Sequence, residues 1–498
     1  MRNFKKHIPG LLITLITAGL SVLFILVLLW SRMLPAKYFL LGSAAIVLVA
    51  TAAGLLVRST AYKVQFTFGT IISVLMTFVM VLGSVYLMKT MVTLNNISSV
   101  TTVHTPVGIF VRADDPAVSV DDAKDYDFGI LSALDTDNTI KTVEELTAKY
   151  AAPVKTNAYD GIAQMVDGLL NGETDAMILN LAYLDLFEEM DGYKDVESKI
   201  RQLEVITIEN VVEVKKPGIF GNKDNDKNDP KEEKEEPHVF TVYIGGSDSR
   251  GALSMQARND VNIIATVNTE TKQVLLVTTP RDYFVPLSIS NKVPDKLTHA
   301  GIYGPEVPVE TLEMLYGTEI DYYFRINFAG VETLVDALGG ITVNNKYEFM
   351  AMKKYYIPAG EVTLNGAEAL AYARDRKNSG GDEARGKRQM EIISAAIDKA
   401  ISPDILLRYT SILDSVEDCI DMSIPYDEIA DLVRMQLKDN QDWDIVMYSV
   451  SGVGAVRQPW SMSTNAYVML PDYETVDQAA EMMRRVRSGE IVSVSEEE

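Results

Sequence analysis

Three apolar stretches, at residues 11–30, 38–57 and 66–87, fill most of the first fifth of the chain, and none contains an Asp, Glu, Lys or Arg. About 20 helical residues at 1.5 Å rise span a hydrocarbon core of about 30 Å, so each stretch reads as a transmembrane helix. A cleaved signal peptide is a poor alternative, because the apolar runs are too long and no small-residue cleavage pattern follows the first. Three crossings put the two ends of this segment on opposite sides. Arg2, Lys5, Lys6, Arg58 and Lys63 fall on one side; Arg32, Lys37 and Lys89 fall on the other. The excess of positive charge predicts a cytoplasmic N-terminus and a body outside the cell membrane. With no ionisable residue inside the spans, nothing marks a transport path, and the segment reads as an anchor, residues 1–102.

Charge divides the chain in the same place. Residues 1–102 hold eight Lys or Arg and no Asp or Glu, whereas the remainder is net −31 of the total −23. A body this acidic excludes nucleic acid as the main partner, since phosphate contacts require a positive surface. Cys419 is the single cysteine, which rules out an internal disulfide and a multi-thiolate metal site.

Residues 216–237 are charged, broken by Gly and Pro and poor in large apolar side chains, the composition of a flexible linker. They separate a region at 103–215 from a larger one at 238–475, with 476–498 expected as a solvated tail. The smaller region alternates strand-like runs at 107–111, 127–131 and 176–179 with helical patterns. One is expected to begin at Thr142 as a capping box with Glu145; another closes on Asn171-Gly172. This is the pattern of a small α/β accessory domain, read as a spacer or docking module, with GLLNGETDAMILN faintly resembling half of a solute-binding domain. In the larger region, runs at 261–267 and 273–279 flank Asn268–Lys272 as a hairpin. Helical patterns follow at 309–315, 330–338, 367–374, 384–401, 405–416 and 426–436, interrupted by strand-like runs at 322–327, 341–343 and 445–450. The predicted class is an α/β/α sandwich around a mixed central sheet.

Chemistry-bearing residues concentrate at the ends of those elements: Gly245–Gly251 after the opening strand, Arg258–Asp260 before the hairpin, Thr279–Asp282 at its exit, and Tyr372–Gln389. Arg250, Arg258, Arg281, Arg374, Arg376, Arg385 and Arg388 stand out in an acidic body. A guanidinium grips phosphate bidentately and keeps its charge at any relevant pH, so these residues point to an anion site. Asp248 and Asp260, each beside an Arg, are candidate ligands for Mg²⁺, which prefers oxygen donors and bridges to phosphates. Taken singly, Gly/Ser/Asp turns and Arg–Asp pairs are common surface features. His299 is open between a base and a structural hydrogen-bonding role. No HExxH, GxSxG or P-loop motif is present.

Read in order, GGSDSRG (245–251), RNDVNIIATVN (258–268), TTPRDYFV (278–285), KLTHAGIYG (296–304), DYYFRINFAGVETLVDALGGI (321–341) and LNGAEALAYARDRKNSGGDEARGKRQ (364–389) resemble the LytR-CpsA-Psr family of Gram-positive cell-envelope phosphotransferases. Three spans followed by an additional α/β region are similar to its capsule-type members. Two departures stand: Thr298 occupies a position that is often Asn, and Asp382-Glu-Ala-Arg385 replaces Asp-Phe-Gly-Arg. The resemblance implies transfer of a glycopolymer, of capsular or teichoic-acid type, from polyprenyl pyrophosphate to a peptidoglycan hydroxyl through a phosphodiester. It further implies that Arg281, Arg374, Arg376, Arg385 and Gln389 bind the pyrophosphate and that Asp248 and Asp260 bind Mg²⁺. Arg258 supports the site, and Asp382 orients an Arg or accepts a proton. Catalytic roles thus fall to Arg258, Arg281, Arg374, Arg376 and Asp382. Capsule or wall assembly proteins are possible partners in addition to the membrane. Hydrolysis of the same donor, and a non-enzymatic membrane regulator or solute sensor, are the competing readings; the few residues ahead of the first span leave the regulator no output domain there.

Overall fold

The computed structural model describes residues 4–58, 63–98, 102–211, 238–247, 257–375, 382–402, 405, 412, 415–439, 441–462 and 464–494. The linker expected at 216–237 lies outside them, as does most of the helix expected at 405–416. The chain divides into two compact units.

The first unit gathers the N-terminal helices with residues 399–417 and 424–442. Helices α1 (Phe4–Ser31), α2 (Ala36–Arg58) and α3 (Lys63–Ser98) each contain a segment long and apolar enough to cross a membrane: Pro9–Ser31, Ala36–Arg58 and Lys63–Leu94. Their outward faces remain apolar, with Leu15, Leu40, Leu48 and Phe68 all exposed, as a lipid environment requires. Inward, small residues let the backbones approach: a Cβ on Gly54 would lie 2.9 Å from Thr14 Cγ2, and one on Gly69 would lie 2.7 Å from Leu56 Cβ. The amphipathic helix Tyr426–Asp439, expected within the larger C-terminal domain, instead packs against α3, and the Tyr426 hydroxyl donates to the Ser31 carbonyl at 2.9 Å. Its apolar stripe has found a membrane helix as partner.

Among the described residues the second unit holds two large sheets and four two-stranded ribbons. The first comprises β1 (Thr102–Arg112), β2 (Asp127–Leu131), β3 (Lys155–Tyr159), β4 (Ala176–Asn180) and β5 (Ile200–Val211), in the order β3-β2-β4-β1-β5. β2 is parallel to β3 and β4; β1 is antiparallel to β4 and β5. The polar edge strand β3 carries no apolar run, which hid it from pattern reading. Helix α4 (Thr136–Tyr150) begins six residues ahead of the expected cap. Thr142 is interior to it and donates its hydroxyl to the Asn138 carbonyl at 2.8 Å. Helix α5 (Ile162–Asn171) closes at Gly172 as expected, with φ +76°.

The second sheet is mixed, as the pattern predicts. Its centre is β6 (Val239–Ser247), β7 (Asn259–Asn268) and β8 (Gln273–Thr278), consecutive antiparallel neighbours. Strand Tyr322–Asn327 joins β6 in parallel and Asp444–Ser449 joins β8 in parallel; the short Ile420–Met422 completes the far edge. Residues 341–345, expected among the strands, pair with 360–364 in a separate ribbon. On one face, Tyr243, Ile264, Leu275 and Val277 pack against Leu312 and Tyr316 of helix Glu306–Tyr316 and against Val476, Met482, Met483 and Val486. Those last four belong to helix Tyr473–Arg487, which corrects the expectation of a tail from 476. The apolar residues recur at helical spacing among many charges, Asp472 accepts the Glu474 amide at its start, and Gln273 exchanges two hydrogen bonds with the Val492 backbone. Helix Asp382–Ala400 meets the sheet at Gly386, where an added Cβ would lie 3.0 Å from Thr278 Cγ2.

Candidate anion site at the strand ends

β6 and β8 end, and β7 begins, at the same edge of the mixed sheet, and the two parallel outer strands finish there as well. Ligand sites of open α/β sheets favour this edge. The register of β6 and β7 slips, pairing Gly246 with Val261 but Ser247 with Asn259, so Asp260 is the extra residue of a β-bulge. Such a bulge re-aims a side chain. Arg281, three residues beyond β8, donates to Asp260 Oδ1 through an Nη at 2.6 Å. Burial opposes ionisation of Asp260, but Arg281, assisted by Arg385 and Arg258, outweighs it and holds the carboxyl below its ordinary range.

Asp260, Thr278, Thr279, Pro280, Arg281, Arg385, Gly386, Gln389, Ser449 and Val450 line one cleft. Arg385 and Gln389 are four apart on helix Asp382–Ala400, hence on one face, and the close approach at Gly386 brings that face to the strand ends. The sequence-predicted residues Asp260, Arg281, Arg385 and Gln389 are therefore brought together. Two guanidiniums and an amide around a small cleft can hold an anion with several oxygens.

The other candidates are placed differently. Arg374 ends helix Gly366–Arg374 and lies over the Phe328 ring, 4.3 Å from its centroid, outside the cleft lining. Arg388 donates to the Asp375 carbonyl at 2.9 Å and covers the Phe349 ring, holding the residue that follows Arg374. Asp382 opens the helix that carries Arg385 and Gln389. Asp248, Arg250 and Arg376 lie outside the described residues. His299 is fully buried, with Nδ1 at 2.7 Å from Asp295 Oδ1 and 3.0 Å from Ser461 Oγ, which ties the 295–299 segment to Ser461. This geometry gives it a structural role.

Arg258 does not line the cleft either. Its Nη1 donates to Glu189 Oε1 at 2.8 Å, and its Nε lies 3.7 Å from Asp185. Lys296 Nζ contacts Glu189 Oε2 at 2.6 Å and Asp282 Oδ1 at 2.8 Å, and Asp282 Oδ2 is 3.5 Å from Arg281 Nε. Charges of alternating sign thus run from Asp185 to Asp260. Pattern reading quoted Lys296 and Asp282 within motifs but gave them no role. Glu189 it missed altogether, since Glu188-Glu189 in an acidic body looks like solvated surface.

Among the described residues no group of three or more His, Cys, Asp or Glu converges to hold a metal ion. Asp260 is nevertheless a hard, ionised oxygen donor at the mouth of the cleft, which suits a divalent cation shared with a phosphate ligand.

Residues 208–485 match the LytR_cpsA_psr family, somewhat more than half of the chain. The polyisoprenyl-teichoic acid–peptidoglycan teichoic acid transferase TagU of Enterococcus faecalis is 36% identical over 194 residues, which are 38% of this chain and 63% of that protein. TagT of Bacillus subtilis, a transferase of the same designation, is 35% identical over 196 residues, 37% of this chain and 60% of that protein. The matched part thus spans about six-tenths of these relatives. The crystal structure of B. subtilis TagV aligns with a TM-score of 0.43 at 26% identity, covering 52% of this chain and all of that one.

Proposed function

This chain belongs to the LytR_cpsA_psr family, and on that premise we propose that it is a membrane-anchored phosphotransferase that moves a glycopolymer from a polyprenyl-pyrophosphate donor to peptidoglycan. One observation supports this most directly: Asp260, Arg281, Arg385 and Gln389, all within the family-matched residues, converge on one cleft. The glycopolymer is of capsular or teichoic-acid type. The named relatives carry teichoic acid in their designations, and the three spans with an additional α/β region favour the capsular class.

In this reading a peptidoglycan hydroxyl, C6 of N-acetylmuramic acid, attacks the phosphorus nearest the sugar. The new P–O bond forms as the bond to the bridging pyrophosphate oxygen breaks. Polyprenyl phosphate leaves, and the hydroxyl proton passes to a carboxylate or to water. Phosphoryl transfer of this kind is mainly positioning and charge neutralisation. Arg281 and Arg385 hold the pyrophosphate oxygens, Gln389 donates a hydrogen bond from the same helix face as Arg385, and Arg374 adds positive charge from outside the cleft lining. Mg²⁺, held by Asp260 with Asp248, would neutralise charge developing on the leaving phosphate. Asp260 stays ionised for that task because Arg281 offsets its burial. The positive charge around α1–α3 favours a cytoplasmic N-terminus and an extracytoplasmic body, where donor and enzyme share one membrane.

The test uses the full chain in lipid nanodiscs with Mg²⁺, an undecaprenyl-pyrophosphate saccharide and a peptidoglycan oligomer, read by mass spectrometry. The expected product is a phosphodiester-linked adduct that disappears with Arg385→Ala. Saccharide phosphate released without an adduct would make the chain a hydrolase. Absence of both products from folded protein that also fails to bind the donor would favour a regulator.

A further inference from the structure

Glu189 lies ahead of the residues that match the family, yet it joins the charged network behind the cleft. The segment that carries it, Leu181–Glu189, leaves β4 at Asn180, whose side chain accepts the Ala182 amide. Tyr183, Leu186 and Phe187 of this segment, with Met190 just after it, are buried in a core that also contains Ile302, Met462 and Ala466. The Tyr303 ring packs edge-on to Tyr183 and beside Trp460. The segment is therefore wedged between the first sheet and the loops of the second, and the backbone at Glu189 is firmly held.

Both carboxylate oxygens of Glu189 are engaged, one by Arg258 and one by Lys296. Lys296 is 3% exposed and Arg258 is 7% exposed, so these contacts are shielded from water. Lys296 passes to Asp282, Asp282 to Arg281, and Arg281 to Asp260 at the cleft. An exposed ion pair would merely fasten two surfaces. Here each cation is shared by two carboxylates, and the last pair in the series lines the cleft.

We infer that Glu189 is a positioning residue of the transferase site: by holding Lys296 it fixes Asp282, and through Asp282 it sets Arg281 opposite Asp260. The inference rests on the transferase reading and extends the site to a region outside the family-matched part. Its carboxyl supports the role. Burial opposes ionisation, but Lys296, with His299 and Arg258, outweighs it and brings the carboxyl down to about 2, so the charge persists over the working pH range. Glu189 is not among the residues that line the cleft, and its negative charge opposes rather than aids anion binding. Removing that charge relieves repulsion of the anion while it loosens the set of Arg281, and Arg385 still lines the cleft, so the loss falls on turnover far more than on affinity.

The experiment compares wild type, Glu189→Gln, Lys296→Met, the double variant and Asp185→Asn as full chains in nanodiscs. Binding of farnesyl pyrophosphate is measured by calorimetry and adduct formation by mass spectrometry, with rates normalised to folded protein well below the melting temperature. Glu189→Gln is expected to lower kcat about tenfold or more, the usual scale for groups that orient a reacting shell, with farnesyl-pyrophosphate affinity changed less than about threefold. The double variant should lose no more than Lys296→Met alone, because the two act in series. Asp185→Asn, half-exposed and 3.7 Å from Arg258, should change kcat less than twofold. A Glu189→Gln chain that melts earlier but keeps wild-type kcat per folded molecule would show fastening only and overturn the inference, as would losses that multiply in the double variant. A wild-type chain that neither transfers nor binds farnesyl pyrophosphate would overturn the transferase reading, and this inference with it.

Discussion

The two large sheets of the second unit treat charge differently. Around the first, most ion pairs sit at the surface: Lys149 with Glu204, Lys155 with Asp127 and Lys199 with Asp195 all have side chains more than a third exposed. Around the second, Lys296, Asp282, Arg281 and Asp260 form a network with side chains 3–17% exposed. Burying charge costs several kcal/mol per ion before pairing recovers part of it, so a fold concentrates it where fixed charge serves a purpose. The first region reaches into the charged network of the second at Glu189. Surface pairs tolerate loss; a buried series does not.

That contrast can be broken from either side. Phe187→Ala removes a 2%-exposed ring from the core shared by the two regions and is expected to cost about 3–5 kcal/mol. Denaturant unfolding should show the loss, and an unchanged midpoint would mean that the regions do not depend on a common core. Arg281→Ala removes a charge donor from the cleft and should reduce adduct formation about 10²–10³-fold, measured as turnover per folded molecule. Near-normal turnover would separate the buried network from the chemistry.

Acid sharpens the contrast further. Glu189 titrates near 2 when folded, below its ordinary range, so its contribution to stability is fully present above about pH 4.5 and is lost as pH falls toward 2. At about 1.4 kcal/mol per pKa unit, the loss is on the order of 3 kcal/mol. Unfolding of wild type and Glu189→Gln should therefore converge across that window, and parallel curves would contradict the assignment. The smallest effect belongs to the surface pairs: Lys149→Ala should change stability by less than about 1 kcal/mol, and a larger shift would show that the surface pairs of the first region also carry weight.

Much of this architecture is legible in the residues because local signals agree with the fold. The three spans announce themselves by length and absence of charge, and Asn268–Lys272 makes its turn because β-prone runs flank it. Gly172 ends α5 where its permissive backbone is required. The cleft is legible in part: Arg281 and Asp260 sit at strand ends, and Arg385 and Gln389 share a helix face. Glu189 was not readable, because no spacing rule relates residue 189 to residues 258 and 296; only tertiary packing of the 181–189 segment brings them together. Helix Tyr473–Arg487 was hidden by its charges, which cover the face turned away from Met482 and Met483. Helix Tyr426–Asp439 read correctly as a helix, but its packing partner α3 is more than 300 residues away.

The central claim is that the cleft at the strand ends binds the pyrophosphate of a lipid-linked donor. Calorimetric titration of farnesyl pyrophosphate, with Mg²⁺, into the nanodisc-embedded full chain tests it directly, using the Arg281→Ala/Arg385→Ala double variant and the exposed-surface control Arg484→Ala. The account predicts saturable binding to wild type and to Arg484→Ala, and affinity about 100-fold or more weaker in the double variant, as expected from losing two charge-assisted contacts. Equal affinity in all three folded proteins would contradict it.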